Sequence, residues 1–435
     1  MKSMSEPMYK SQRNSQLLEQ ESEATNLHSK GVKEFDEESF PNAILYFDNE
    51  ITGRYEILNA LESEVRARYT PKIAEAHYSR GTAFYRQNML KEAIKDFDLA
   101  IANEPDNFKA QFNKSFSLLL NGDFEEGWKF YESRWKTGQI KLVRVYEPIP
   151  LWLGIEPLQG KTILLHAEQG QGDAIQFCRY AKLVSNKGAK VIINAFSELE
   201  ELFKTLDCDI LVISREDDLP MVDYRCPLMS LPLALKIEKD KGIPFPQGYL
   251  KSDSSKLAEW KDRLGLWTKP RIGLAWSGGV RLISHKKRNI EIDLFIKALP
   301  YGFQYVTLQP DIEPQDLGKL KAHADKDANT DVLDFSNKIN DFSDTAALIE
   351  SLDVIISVDT SVAHLAGALG KTVWILLPFN PDWRWLLKRT DSLWYNSAKL
   401  YRQTEFVKGN GKWDDVLKKI NRDLKEYRKM KDVKN

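Results

Sequence analysis

The sequence predicts α-helical hairpins followed by an α/β region with two parallel sheets. Residues from about 23 to 140 show no strand pattern and contain units that repeat. From Lys161 onward, short apolar runs alternate with helical stretches, which is typical of parallel α/β folds. At 435 residues the chain is too long for one hydrophobic core. We therefore expect several domains.

The helical region contains a 34-residue unit that runs from Ala74 to Asn107. Two small residues would let its paired helices approach closely, two aromatic residues would fill the groove between them, and a proline would end the second helix. These positions match a tetratricopeptide repeat (TPR) at Gly81, Phe84, Ala93, Phe97, Ala100 and Pro105.

The same offsets recur upstream at Gly31, Ala43 and Phe47, so an insertion of roughly Ile51 to Pro71 separates two units. A third, degenerate unit begins at Phe108 and ends in GDFEEGWKFYESRW. A generic helical bundle is the alternative. Repeats of this kind present a concave face to a peptide or protein, and we expect a protein or peptide partner there.

The α/β region divides into two predicted lobes joined by a polar helical stretch, Lys251 to Lys269. Strands are predicted in the first lobe at Thr162–His166, Lys190–Asn194 and Ile210–Ser214, and in the second at Arg271–Trp276, Gln304–Leu308, Val332–Phe335, Val354–Val358 and Thr372–Leu377. The predicted domains are a disordered leader at 1–22, helical repeats at 23–145, a first Rossmann-like lobe at 146–255, a second Rossmann-like lobe at 256–410 and a C-terminal helix at 411–435.

Composition narrows the classes of function. Hydrophobic residues make up 42% and charged residues 29%, as in an ordinary soluble protein. A net charge of -1 lacks the basic surface of a nucleic-acid binder. The three cysteines lack CxxC spacing and are expected to be reduced. Apolar runs of strand length and a polar N-terminus predict a cytoplasmic protein without a transmembrane segment or signal peptide.

The first candidate site is the turn HAEQGQGDAIQF, at the end of the first predicted strand. Ligands of open α/β sheets bind beyond the carboxyl ends of strands. Gly170 and Gly172 allow close backbone approach beside Gln169, and this is the predicted acceptor-side turn. Asp173 follows at the helix start, where a carboxylate can deprotonate a hydroxyl as a general base. Helix capping is the alternative role for Asp173.

The second candidate site is WSGGVRLISHKKRN, after the first strand of the second lobe. Gly278 offers a backbone donor, and Lys286, Lys287 and Arg288 offer the positive charge that a departing diphosphate needs. The sequence does not decide which of the three cations contacts phosphate. A solvated charged loop is the alternative.

The third candidate site is VDTSVAHLAGALG, a buried strand that runs directly into a helix. Asp359 lies at the strand tip, where it can accept hydrogen bonds from sugar hydroxyls. Thr360 and Ser361 begin a helix whose N–H groups and dipole favour phosphate, and His364 can face that phosphate from the first turn. Capping by Thr360 or Ser361 and a packed His364 are the alternatives. Gln309 and Asp344, at neighbouring strand and helix ends, are candidates for base or ribose contacts.

No zinc spacing, P-loop or nucleophile elbow is present, and we expect no metal site. Asp207 and Asp209 form a DxD, but they precede a strand, at the end opposite to ligand sites. A dehydrogenase or epimerase is disfavoured, because Ile175 replaces the third glycine of GxGxxG and Asn194 replaces the ribose-binding acid.

From about Trp152 to Gln403 the chain resembles bacterial TPR proteins with a domain related to ADP-heptose:lipopolysaccharide heptosyltransferases, glycosyltransferase family 9. The matching segments are GKTILLHAEQGQGDAIQFCRYA, CPLMSLPLAL, GLAWSG, DTAALIESLDVIISVDTSVAHLAGALG and LLPFNPDWRWLL…DSLWY, together with GDFEEGW…YESRW. The combination of repeats with such a domain is also similar to eukaryotic O-GlcNAc transferase. Two departures are a short first lobe and Asn289, where the family is expected to have a serine after the arginine.

The resemblance implies a GT-B fold and a metal-independent, inverting glycosyltransferase. It places Asp173 at the acidic base, and Asp359, Thr360, Ser361 and His364 at the donor-sugar and phosphate site. The nucleotide sugar is then a co-substrate, and no cofactor is expected. Some proteins of this architecture are implicated in glycosylating flagellin, with the repeats gripping the acceptor. The alternative is a catalytically inactive scaffold that keeps a sugar-nucleotide fold.

Overall fold

The computed structural model describes residues 6–140, 144–238, 242–278, 288–309, 311–406, 408 and 412–432. The chain forms two compact units, Met1–Lys141 and Leu142–Asn435. The first is helical and the second contains both sheets. The predicted fold class, helical hairpins followed by paired α/β lobes, is confirmed.

The helical unit consists of consecutive helices that pack as antiparallel hairpins: α1 (Glu6–Asp36), α2 (Phe40–Ala60), α3 (Ser63–Arg86), α4 (Leu90–Asn103), α5 (Phe108–Asn121) and α6 (Phe124–Tyr131). A Cβ added to Gly81 would lie 3.0 Å from the ring of Phe97, and one added to Gly31 would lie 2.5 Å from the ring of Phe47. Both glycines therefore sit against the aromatic ring predicted to fill their hairpin.

One prediction for this unit needs correction. The predicted disordered leader, 1–22, is helical from Glu6, because Leu17 packs on an apolar cluster and Glu21 accepts hydrogen bonds from Tyr69 and Lys72. The predicted insertion at 51–71 lengthens α2 and α3, and Pro71 lies inside α3.

Buried ionic contacts tie α3 to α4. Asp96 is 2% exposed and accepts hydrogen bonds from Arg80, with the Nη2 to Oδ1 distance at 2.7 Å. His77 Nδ1 lies 2.9 Å from the same oxygen. These partners hold the pKa of Asp96 below its ordinary value although burial alone would raise it. The hairpin is thus fixed by charge as well as by apolar packing.

The second unit contains two fully parallel sheets. The first has the order β3-β2-β1-β4, and the second has the order β10-β9-β8-β5-β6-β7. Their strands are β1 (Thr162–His166), β2 (Lys190–Ala195), β3 (Ile210–Ser214), β4 (Tyr224–Pro227), β5 (Arg271–Ala275), β6 (Gln304–Thr307), β7 (Asp331–Leu333), β8 (Val354–Val358), β9 (Val373–Leu377) and β10 (Ala398–Arg402). Each predicted strand is present, while β4 and β10 were not predicted.

Helices of this unit connect and cover the strands. They are α7 (Gln171–Phe177), α8 (Ala181–Ser185), α9 (Glu200–Phe203), α10 (Leu231–Ala234), α11 (Ser254–Leu264), α12 (Ile292–Phe295), α13 (Pro314–Ala324), α14 (Phe342–Glu350), α15 (Ser361–Ala368) and α16 (Asp414–Asp432). The first sheet falls within the predicted lobe 146–255 and the second within 256–410. None of the helices in the described ranges is long and apolar enough to cross a bilayer.

The strand orders locate the places where a ligand can enter. Successive strands of the second sheet run outward from β5 in one direction to β7, and from β8 in the other direction to β10. The first sheet reverses in the same way between β1 and β4. Connections diverge at such a switch point and leave a crevice beyond the carboxyl ends of the two central strands. The crevices therefore open beside the residues that follow β1, β5 and β8.

Candidate functional site

The start of α15 faces one of these crevices. Thr360 precedes the helix, but its hydroxyl lies 3.1 Å from the Ser357 hydroxyl and makes no capping bond to a helix N–H. The positive end of the helix dipole is therefore not neutralised by a Thr360 cap. Such a helix start favours an anion, as the sequence predicts for Thr360 and Ser361.

Asp359 lies between β8 and α15 and is 7% exposed. Burial, together with the negative charge of Asp382, raises the pKa of Asp359 to about 6, although Arg288 and Arg384 act in the opposite direction. A carboxylate whose ionised form is this costly in the folded protein is typical of a functional position. Asp359 is thus a buried hydrogen-bond acceptor beside the helix start, and its ionised form is destabilised by burial.

His364 is a neutral imidazole in this site. Its Nδ1 lies 2.9 Å from the Tyr395 hydroxyl, and its ring stacks on Trp385 with centroids 5.4 Å apart. Burial, and then the charge of nearby arginines led by Arg384, holds the pKa of His364 well below its ordinary value. His364 is therefore packed, as the alternative interpretation of the sequence predicted. Its Nε2 faces Asp359.

Asp359 and His364 do not form a salt bridge despite their proximity. Nε2 and Oδ1 are 3.7 Å apart, which lies within ion-pair range but beyond a hydrogen bond. Burial holds the pKa of His364 well below its ordinary value, so the imidazole is neutral and the two side chains form no pair of opposite charges. Both side chains are almost fully enclosed.

The predicted base, Asp173, lies in the first turn of α7. Gly170 is the N-cap residue of this helix, and its N–H donates to Asp173 Oδ2 at 2.9 Å. The other oxygen, Oδ1, accepts a hydrogen bond from Arg384 Nη2. The Asp173 side chain remains 22% exposed. One oxygen thus performs the capping role considered from sequence, and the carboxylate is still accessible.

The turn of the first lobe and the helix start of the second lobe lie against each other. A Cβ added to Gly172 would be 3.0 Å from His364 Cδ2, 3.4 Å from Ser361 Cα and 3.6 Å from the Ser361 nitrogen. Any side chain at position 172 would therefore project towards the start of α15. The residues that follow β1 and those that follow β8 are therefore in direct contact.

The loop after β5 is braced by groups that the sequence assigned to ligands. Gln309 is 5% exposed, and its Oε1 accepts hydrogen bonds from the Trp276 and Ser277 N–H groups at 2.5 and 2.8 Å. Its amide nitrogen donates to the Ser277 hydroxyl. Gln309 therefore braces the loop after β5, and its contact with a base or ribose stays a prediction. The Gly278 N–H, predicted to meet phosphate, donates to Asn289 Oδ1 at 2.9 Å.

Asp344, the other residue predicted to contact a base or ribose, is held by protein groups. It is 5% exposed, and its Oδ2 accepts hydrogen bonds from both the backbone and the side chain of Asn340, at 3.0 and 3.1 Å. Its Oδ1 accepts from the Trp260 indole at 3.4 Å and lies 3.2 Å from Lys256 Nζ. The carboxylate therefore fastens α11 to the start of α14.

Among the predicted cations, Arg288 is the one within the described residues. Lys286 and Lys287 lie outside them. The positive charge of Arg288 lowers the pKa values of both Asp359 and His364, so Arg288 lies near both side chains. Its Nε is buried and makes no hydrogen bond within the described residues. Asn289, the departure from the family, closes the stem of the loop that carries Arg288.

Sequence reasoning missed the segment that follows β9. Because β9 lies beside β8, its carboxyl end delivers Asp382 to Trp385 to the same edge of the sheet. Arg384 and Trp385 thereby contact Asp173 and His364, respectively. A signal was present in the motif PDWRW, where two charged residues alternate with tryptophans. Gln176, whose amide oxygen accepts from Arg384, carried no signal.

Comparison with known proteins identifies the helical repeat. Residues 74–107 match the tetratricopeptide repeat family. The predicted repeat is confirmed over the same residues. In the structure this span covers the second half of α3 and all of α4.

Comparisons over longer spans find distant similarity. Protein FlbA of Caulobacter vibrioides (strain ATCC 19089 / CIP 103742 / CB 15) is 22% identical over 386 residues, 83% of this chain and 63% of that protein. The chain thus spans less than two thirds of that relative. The structure of E. coli ADP-heptose lps heptosyltransferase II has a TM-score of 0.44 with 14% identity, covering 62% of this chain and 99% of the other. The O-GlcNAc transferase of Thermobaculum terrenum has a TM-score of 0.29 with 12% identity, covering 94% and 91%.

Proposed function

We propose that the protein is a metal-independent, inverting glycosyltransferase that moves a sugar from a nucleotide-sugar donor to an acceptor hydroxyl. The observation that carries the proposal is the contact between the Asp173 turn and the start of α15, measured at Gly172. It brings the turn that carries an accessible carboxylate against a helix start that favours an anion. A base and a leaving-group site on two sides of one crevice are what glycosyl transfer requires.

The donor side supplies positive charge for the departing diphosphate. The α15 start is not capped by Thr360, and the buried Arg288 Nε has no hydrogen-bond partner within the described residues. Both features favour the charge that develops on the leaving oxygen. Protein groups can therefore take the part that a divalent cation plays in metal-dependent transferases. Asp359 would hold the donor sugar through its hydroxyl groups.

The acceptor side supplies the base. Asp173 would remove the proton from an acceptor hydroxyl while the hydroxyl oxygen attacks the anomeric carbon. A carbon–oxygen bond forms to the acceptor, and the bond to the diphosphate breaks on the opposite face. Attack from the face opposite to the departing diphosphate would invert the anomeric centre.

The acceptor is proposed to be a protein bound by the tetratricopeptide repeat. The match at residues 74–107 supports this assignment, because such repeats present concave surfaces to peptides. The donor base and sugar are left to experiment. An inactive scaffold would have the same repeat but would turn over no donor.

A panel of nucleotide sugars tests the proposal. We expect one of them to raise the melting temperature and to be hydrolysed or transferred, since a ligand that binds the folded state stabilises it. Addition of EDTA should leave the rate unchanged, and proton NMR of the product should show an inverted anomeric centre. Thermal stabilisation without turnover by any donor would indicate the scaffold. Loss of activity in EDTA would contradict metal independence.

A further inference from the structure

Arg384 reaches from the second sheet to the first. It lies in the short helical turn Trp383–Trp385 after β9, and its side chain is 7% exposed. Its Nη2 donates to Asp173 Oδ1, and its Nε donates to Gln176 Oε1, one helical turn further along α7. One guanidinium therefore donates hydrogen bonds to two residues, one turn apart, on the helix that carries the proposed base.

The guanidinium is itself immobilised from the second lobe. Nη1 donates to Asp382 Oδ1 at 2.8 Å, and the same oxygen accepts the Arg384 backbone N–H at 3.0 Å. The guanidinium carbon lies 4.4 Å from the centroid of the Trp383 ring. The planar fork of arginine fixes the directions of its donors once two of them are engaged. Asp173 is thus held by a rigid partner.

The hydrogen bond from Arg384 leaves Asp173 able to accept a proton from a substrate hydroxyl. An ionised carboxylate has about four lone-pair sites, of which Gly170 and Arg384 take two. The Asp173 side chain is 22% exposed, about three times the fraction for Arg384. A substrate hydroxyl can therefore reach Asp173, whereas Arg384 lies behind it. The arrangement differs from that of Arg179, a fully buried arginine whose guanidinium is fixed by the Tyr249 hydroxyl and the Trp394 carbonyl.

We propose that Arg384 is a positioning residue, which orients the Asp173 carboxylate towards the acceptor hydroxyl and ties that orientation to the donor-binding lobe. The expected effect on kcat rests on the proposed function, because it requires that the protein transfers a sugar. Its geometric part, the coupling of Arg384 to Asp173, can be measured without any donor. A base displaced by about 1 Å can lose about 10²-fold in rate, which sets the size of the expected effect.

The kinetic test compares Arg384→Gln, Arg384→Lys and Arg389→Gln. The last removes an exposed arginine that pairs with Asp391 in the same segment, and serves as the matched control. For R384Q we expect kcat to fall about 10²-fold while the donor dissociation constant changes less than threefold. R384K should recover part of kcat, because its ammonium can still meet Asp173. R389Q should resemble the wild type. An unchanged kcat in R384Q, or equal losses in kcat and donor affinity, would overturn the proposal.

A double-mutant cycle that needs no donor separates the positioning role of Arg384 from the proposed function. Urea unfolding of D173N, R384Q and the double variant should show coupling of about tenfold in the unfolding equilibrium constant, because each single change already breaks the pair. Additive effects would overturn the positioning role even in an active enzyme. Strong coupling in a protein that turns over no nucleotide sugar would instead refute the proposed function while leaving the Arg384–Asp173 contact intact.

Discussion

Replacement of Asp173 by asparagine is expected to lower kcat by about 10² to 10⁴-fold, the usual contribution of a general base. Asparagine has nearly the same shape, and its amide oxygen can still accept the Gly170 N–H that Asp173 accepts. It cannot take up the acceptor proton. Because donor contacts are assigned to the second lobe, the donor dissociation constant should change by less than about threefold.

The comparison requires turnover and calorimetric binding on the same preparations. Asp207→Asn is a suitable control, because Asp207 pairs with Lys182 in an exposed ion pair elsewhere in the first lobe. D207N should retain wild-type kcat and donor affinity. An active D173N variant would refute the base assignment. Loss of donor binding in a folded D173N protein would show that Asp173 belongs to the donor site instead.

Replacement of Asp359 by asparagine is expected to stabilise the fold and to weaken donor binding. The folded protein raises the pKa of Asp359 from 3.8 to about 6, so ionisation opposes folding. This penalty grows as pH rises from 3.8 to about 6 and is complete above that pH. A neutral isostere removes it, and the free energy of unfolding near pH 7.5 should increase by about 1 to 3 kcal/mol. The gain should shrink as pH falls below 6.

Urea unfolding at several pH values measures this effect. Asp391→Asn is the control, because the Arg389 hydrogen bond lowers the pKa of Asp391 and neutralisation there should not stabilise the protein. The loss of a hydrogen bond from the donor to a charged group should weaken D359N binding about tenfold or more. Unchanged stability with unchanged donor affinity would show that Asp359 is neither strained nor in contact with the donor.

Much of the fold could be predicted because its elements are locally encoded. Apolar runs such as Val354–Val358 define buried strands without tertiary information. The strands that escaped prediction, β4 and β10, have mixed composition, with Arg225 in one and Lys399 in the other. Their pairing to β1 and β9, rather than their sequence pattern, makes them strands. The prediction of a disordered leader was wrong for a similar reason. Contacts of Leu17 and Glu21 with later helices stabilise the helix there.

The sequence predicted those residues of the candidate site that come soon after a strand. Asp173 and Asp359 were found because parallel strands deliver their carboxyl ends to one edge. Arg384 and Tyr395 lie in the irregular segment between β9 and β10, so only the folded structure brings them to Asp173 and His364. The sequence did not predict that Gln309 braces the loop after β5, because a polar residue at a strand end can brace a loop as readily as bind a ligand.

Donor affinity in a Gly172→Val variant tests most directly whether the Asp173 turn and the α15 start form one site. A side chain at position 172 would meet His364 and Ser361, whereas Gly318→Val places the same side chain on α13, where a Cβ would meet nothing within 4 Å. Calorimetry with the donor that binds the wild type should show G172V weakened at least about tenfold, or about 1.4 kcal/mol, and G318V unchanged. A folded G172V protein that binds this donor as tightly as the wild type would contradict the account.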